Sequence, residues 1–191
     1  MLAATMAGQD ETLESLQNLV NDFALDVGRL RAALADDATT PEARTLLVAA
    51  LNYVLDTWDV FPDHYPVLGL VDDALVLRVA AHLALQKGAT HRGVQKLAGD
   101  MDVVRELLGD LVEPFEQLCV GLASRSVRGR TAGAILNDPD VRALFDADLT
   151  RLGKKDPPGK LDPPTQGSAA LLSELRKMVR SALGRAGILT K

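Results

Sequence analysis

The chain has 191 residues, 47% hydrophobic and 25% charged, a size and mix that suit one well-buried core and exclude a disordered chain. Its net charge of −5 is unevenly spread. Residues 1–150 hold 12 Lys and Arg against 23 Asp and Glu, while residues 151–191 hold 9 against 3. An acidic body with a basic tail makes nucleic acid an unexpected partner, and no aromatic stacking platform accompanies the basic residues. The single Cys119 excludes an internal disulfide and a CxxC zinc site, pointing to a reducing, cytoplasmic setting. Met1–Glu11 carries no basic, apolar leader, and the most apolar run, Val67–Leu85, is interrupted by Asp72, Asp73, Arg78 and His82, so neither a secretory signal nor a spanning helix is expected.

Aromatic residues are few while Leu and Ala abound, a composition that favours helices over sheets. The first helix is expected over about Asp10–Leu34, with Leu13, Leu16, Val20, Phe23, Val27, Leu30 and Leu34 at alternating steps of three and four. That seam suits either the chain's own core, the first reading, or a homodimer. Thr40-Pro41 pairs a hydroxyl N-cap with proline at the first helical position and opens a helix to about Asp56.

Pro62 and Pro66 then interrupt, and a strongly apolar helix, about Val67–Gln86, ends at Lys87-Gly88, a basic last turn with a glycine cap. A long helix is expected over about Gly93–Ser124, bent at Pro114. After the basic connector Arg125–Arg130 come a short helix to Leu136 and a second cap-plus-proline start, Asp138-Pro139, leading to Leu152. Nowhere does a useful alternating strand pattern occur.

The expected architecture is therefore all-α: one bundle of about six helices in residues 1–152, a Pro/Gly-rich linker over 153–167, and a tethered amphipathic helix in 168–191. The linker could reach about 50 Å at roughly 3.1 Å per residue. In the last helix Leu171, Leu172, Leu175, Met178, Val179, Ala182 and Leu183 share one broad face, with Arg176, Lys177, Arg180 and Arg185 mostly elsewhere. Such a helix can lie on an anionic membrane, dock on an acidic protein partner, or fold back on the acidic body.

Between Tyr53 and Val76 the only charged residues are Asp56, Asp59, Asp63, Asp72 and Asp73, set among prolines between two apolar helices. Carboxylates in such a place need capping roles, partners or a cation. Asp59 and Asp63 can cap the turn, and Asp72 and Asp73 can sit in the first turns of the next helix, where its dipole favours negative charge. Alternatively Asp59, Asp63, Asp72 and Asp73 converge on Mg²⁺, Mn²⁺ or Ca²⁺, with His64 and His82 near enough in sequence to add an imidazole, as in a metal-dependent hydrolase. The spacing fits neither an EF-hand nor an HExxH site, so capping without a cofactor is the first reading.

Asp59, Pro62, Asp63, Pro66, Gly69, Asp72 and Asp73, preceded by Tyr53, resemble the recurring pattern of the YkvA-like family, a small bacterial helical domain of unknown function. The resemblance covers about Tyr53–Leu85, within a segment of about 46–87, and departs from the pattern at Thr57, where the family has proline. It implies a helical fold, structural roles for Tyr53, Pro62, Pro66 and Gly69, and no established reaction. Relatives often look membrane-associated, but Asn52, Asp56, Arg78 and His82 argue here against insertion. The expectation is a non-catalytic interaction module, cytoplasmic or peripheral to the membrane.

Outside this segment, Arg125, Arg128 and Arg130 form either a solvated connector, the first reading, or a phosphate site. Arg78, His82 and Gln86 read as a narrow polar stripe, and Cys119 as an inert core thiol.

Overall fold

The computed structural model describes residues 11, 14–56, 69–153 and 168–189. Pro62 and Pro66, together with Asp59, Asp63 and His64, lie outside them. The fold is all-α, and the one β-bridge among the described residues closes a turn between Val127 and Arg130.

Helical residues 14–21 lead into α1, Phe23–Leu34, and the bonds Asp22 N–H to Asn18 O (3.0 Å) and Asp26 N–H to Asp22 O (2.8 Å) carry the ladder across the junction. Leu16, Val20, Phe23, Val27, Leu30 and Leu34 are buried, so the described part of the heptad seam belongs to the chain's own core. Thr40 caps α2, Pro41–Tyr53, accepting from Ala43 N–H at 3.3 Å while its hydroxyl donates to Lys87 O at 2.7 Å. One side chain thus starts α2 and pins the end of α3, Gly69–Gln86.

The end of α3 follows from Gly88. Its φ of +87° suits glycine, and it allows Ala89 N–H to reach back to Ala84 O at 3.0 Å and Gly88 N–H to Leu85 O at 3.0 Å. α3 packs against α1, α2, α4 and α6, and every residue from 71 to 81 is buried. A helix covered all round is the centre of a bundle, and any charge on it must find a partner inside the protein.

The long helix expected over Gly93–Ser124 is instead a broken path. It comprises α4 (Arg92–Ala98), α5 (Met101–Leu108), a 3₁₀ turn (Gly109–Leu111), α6 (Val112–Gly121) and a second 3₁₀ turn (Leu122–Ser124). The breaks fall at Gly99-Asp100 and at Gly109, whose φ of +58° and ψ of −121° no ordinary side chain adopts readily. Pro114 causes no bend, because it lies in the first turn of α6, where helical N–H groups lack partners anyway.

α7 (Ala132–Asn137) and α8 (Pro139–Leu152) follow, α7 capped by Thr131, which accepts from Ala134 N–H, and α8 by Asp138 as expected, its Oδ1 accepting from Asp140 and Val141 N–H at 2.9 and 3.2 Å. The last helix, α9 (Ser168–Arg185), lies against α5, the first 3₁₀ turn and α6.

Candidate functional site

Three charged residues lie in the wholly buried stretch of α3, and each is handled differently. Asp72 Oδ2 accepts from the Tyr53 hydroxyl at 2.8 Å, both residues being buried. Asp73, one residue on, is buried as well. Asp72 stands in the first turn of α3, where the sequence places it, and its bond to Tyr53 also joins α2 to α3. Tyr53 and Gly69, read as structural, stand at the end of α2 and the start of α3. Among the described residues no group of three or more His, Cys, Asp or Glu is placed to hold a metal; Asp59 and Asp63 lie outside them.

Arg78 is the third charge in this stretch of α3, and it is 1% exposed. Its Nη2 donates to Asp26 Oδ2 at 2.8 Å, Nε to Asp100 Oδ2 at 3.2 Å and Nη1 to Ala74 O at 3.1 Å. Arg29 also holds Asp26, at 2.7 Å, and Lys96 approaches Asp100 at 3.4 Å. Arg78 therefore does not form an outward polar stripe with His82 and Gln86; those two bond to each other at 3.0 Å. Burial pushes the Asp26 carboxyl above its ordinary value, opposed by Arg78 and Arg29. Sequence spacing missed this network, although a lone arginine inside the apolar run from Val71 to Leu85 was its signal.

A polar cluster continues on the α2 side. Arg125 donates to Asp56 at 2.8 Å and its guanidinium lies 5.7 Å from the Tyr53 ring centre. Buried Asn52 donates to Arg130 O at 3.0 Å. Arg128 and Gly129, at φ +50° and +77°, turn the chain so that Val127 and Arg130 exchange two backbone bonds. Arg130 and Arg128 then meet Asp148 at 2.9 and 3.5 Å. The connector arginines each meet one of the protein's own carboxylates, Arg130 buried and Arg125 and Arg128 still partly exposed to solvent.

The second expected site is α9. Leu171, Leu175, Val179 and Leu183 are buried against the body. Arg176 donates from Nε to Leu107 O at 2.8 Å and from Nη2 to Glu106 O at 2.6 Å, satisfying carbonyls at the end of α5. A Cβ at Gly109 would meet the Arg176 guanidinium carbon at 3.8 Å, an ordinary contact, so the positive φ and not the approach of Arg176 calls for glycine there. Arg180 pairs with Asp110 at 2.9 Å and holds that carboxyl below its ordinary value. Among the described residues Lys177 and Arg185 reach only within the helix, to Glu174 at 3.7 Å and Ser181 at 3.0 Å.

Cys119 is buried, and burial raises its thiol far above the range in which a thiolate forms. His91 caps α4, its Nδ1 accepting from Gly93 N–H at 3.1 Å.

No helix among the described residues is long and apolar enough to cross a membrane. Residues 43–78 match a family described as a protein of unknown function (DUF1232), which places the family likeness on α2, the segment after it and the first half of α3. Neither a curated protein nor a solved structure matches the chain.

Proposed function

We propose that this chain is a non-catalytic helical module that associates with an anionic membrane surface through α9, from a cytoplasmic position. The observation that carries the reading is the make-up of α9. One face is apolar enough to be buried along four turns, and Arg176, Lys177, Arg180 and Arg185 flank it. The helix is joined to the acidic body by the Pro/Gly-rich segment 153–167. Among the described residues its grip on that body is two carbonyl bonds, one exposed ion pair and the apolar face, and an anionic bilayer surface would take up the same basic and apolar groups.

Sedimentation with vesicles of anionic and of neutral lipid tests this. The full chain should pellet with anionic vesicles only, and less as salt rises. A chain ending at residue 167 should stay in the supernatant. Equal behaviour of the two chains removes α9 from the reading, and pelleting with neither vesicle removes the membrane. An acidic protein partner would then be the surface that α9 serves.

The position of Asp72 and Asp73 supports a second reading, a divalent-cation site that could serve a metal-dependent hydrolase. Two adjacent carboxylates are buried near the start of α3, at the end of the segment that carries Asp59 and Asp63. Mg²⁺, Mn²⁺ or Ca²⁺ at millimolar concentration should raise the melting temperature, and Asp72→Asn with Asp73→Asn should abolish the rise. A flat response to all three ions rejects it.

A further inference from the structure

Opposite the buried seam of the first helix runs a second row at steps of four and three: Asn21, Leu25, Gly28 and Ala32. Nothing among the described residues covers it. Leu25 is 55% exposed, whereas most large apolar side chains of the fold are buried, and a Cβ built on Gly28 would meet no atom within 4 Å. The row thus offers one apolar knob and, a turn away, a hole with no side chain.

One flank of this row is charged. The start of α4 comes so close that a Cβ on Gly93 would fall 2.9 Å from Arg29 O, which sets Arg92 beside Arg29 along a shallow groove. Arg92 is exposed and makes no ion pair among the described residues. Asp22, on the same flank of the helix as Arg29, is exposed as well and caps nothing through its side chain.

We infer that this face pairs with a second copy of the chain, antiparallel, about a two-fold axis between Leu25 and Gly28. The register follows from the residues. When Leu25 of one helix faces Gly28 of the other, two-fold symmetry sets Gly28 against Leu25, so both knobs fill both holes. Numbers that face each other then share one sum, and Asp22 comes level with residue 31 of the second copy, within a turn of its Arg29.

Antiparallel helices related in this way bring like flanks together, so each Asp22 meets the cationic Arg29 and Arg92 edge of the other copy. Gly28 and Ala32 let the helix axes approach closely. A single face that carries knob and hole, acid and base, is complementary to itself, and this favours a second copy over a different protein.

Sedimentation equilibrium of the full chain, from micromolar to several hundred micromolar, tests the pairing. A monomer–dimer equilibrium is expected. Gly28→Leu fills the hole and replaces glycine with a better helix former, so the monomer stays folded by circular dichroism while dimerisation weakens about tenfold or more. Leu25→Glu should do the same. Asp22→Arg should weaken the dimer, and adding Arg92→Asp should restore part of the loss. A chain that is monomeric at every concentration overturns the proposal. So does a dimer that all these variants leave unchanged, since its contact would then lie on another face. Neither outcome bears on vesicle binding by α9.

Discussion

Arg78 and Arg176 each tie one helix to others, but their surroundings differ in everything that sets the energy of a charge. Arg78 is sealed in the core between two carboxylates and a carbonyl. Arg176 meets two backbone carbonyls at the rim of the fold, on a helix that joins the body through a Pro/Gly-rich segment. A buried charge that loses its partner has no water to turn to; a rim charge does. The same residue type is therefore a requirement of the fold in one place and an adjustable fastening in the other.

Replacing Arg78 should have the largest effect. Arg78→Met leaves Asp26 buried with Arg29 beside it and Asp100 with Lys96, and should cost about 3–5 kcal/mol of global stability in urea denaturation. Adding Asp26→Asn should recover part of that cost, because the second change removes the charge that the first one stranded. A loss under about 1 kcal/mol for Arg78→Met would mean that water reaches this centre and that the comparison fails.

Arg176→Ala should act on one helix only. Hydrogen bonds from a charged donor are worth roughly 1.5–3 kcal/mol when buried, and this half-exposed pair should give about 1–2 kcal/mol for the docking of α9. Amide exchange in Ser168–Arg185 should quicken while α3 stays protected. If α3 and α9 lose protection together, the tail is as integral as Arg78, and the two regions are not different in kind.

Sequence reasoning reached the helices wherever a local signal fixed them. Thr40-Pro41, Asp138-Pro139 and Lys87-Gly88 mark ends by chemistry that acts within a few residues, and the structure places ends there. The Gly93–Ser124 stretch differs from the one long helix expected because Gly109 breaks it through backbone freedom, which has no periodic signature, whereas the conspicuous Pro114 sits where proline is harmless. Of the candidate sites, Asp72 and Tyr53 were singled out as motif residues, but their bond to each other was not visible, since it spans two helices. Arg78 was misplaced for the same reason. Its partners Asp26 and Asp100 lie 52 and 22 residues away, and no pattern along one helix predicts a charge that the fold turns inward.

The smallest expected effect, and the finest test of the comparison, is the response to acid. Arg180 holds the Asp110 carboxyl below its ordinary 3.8, chiefly by hydrogen bonding. Its contribution to docking is therefore complete above that pH and is lost as the pH falls through the lowered value. Asp26 has the opposite sign: burial raises its folded value above 3.8, so the folded state binds that proton more tightly. Its contribution is present below 3.8 and declines as the pH climbs through the raised value, so acid does not open the core through Asp26. Mild acid should thus loosen α9 first. On titration from pH 5 down past 3.8 and through the lowered value, amide exchange in α9, corrected for its intrinsic pH dependence, should rise before that in α3. Asp110→Asn should remove most of that early rise, and high salt at neutral pH should mimic it, because the Arg180–Asp110 pair is exposed. If Asp110→Asn leaves the early rise in place, the fastening rests on the apolar face and Arg176, and the ion pair contributes nothing to the difference between the two regions.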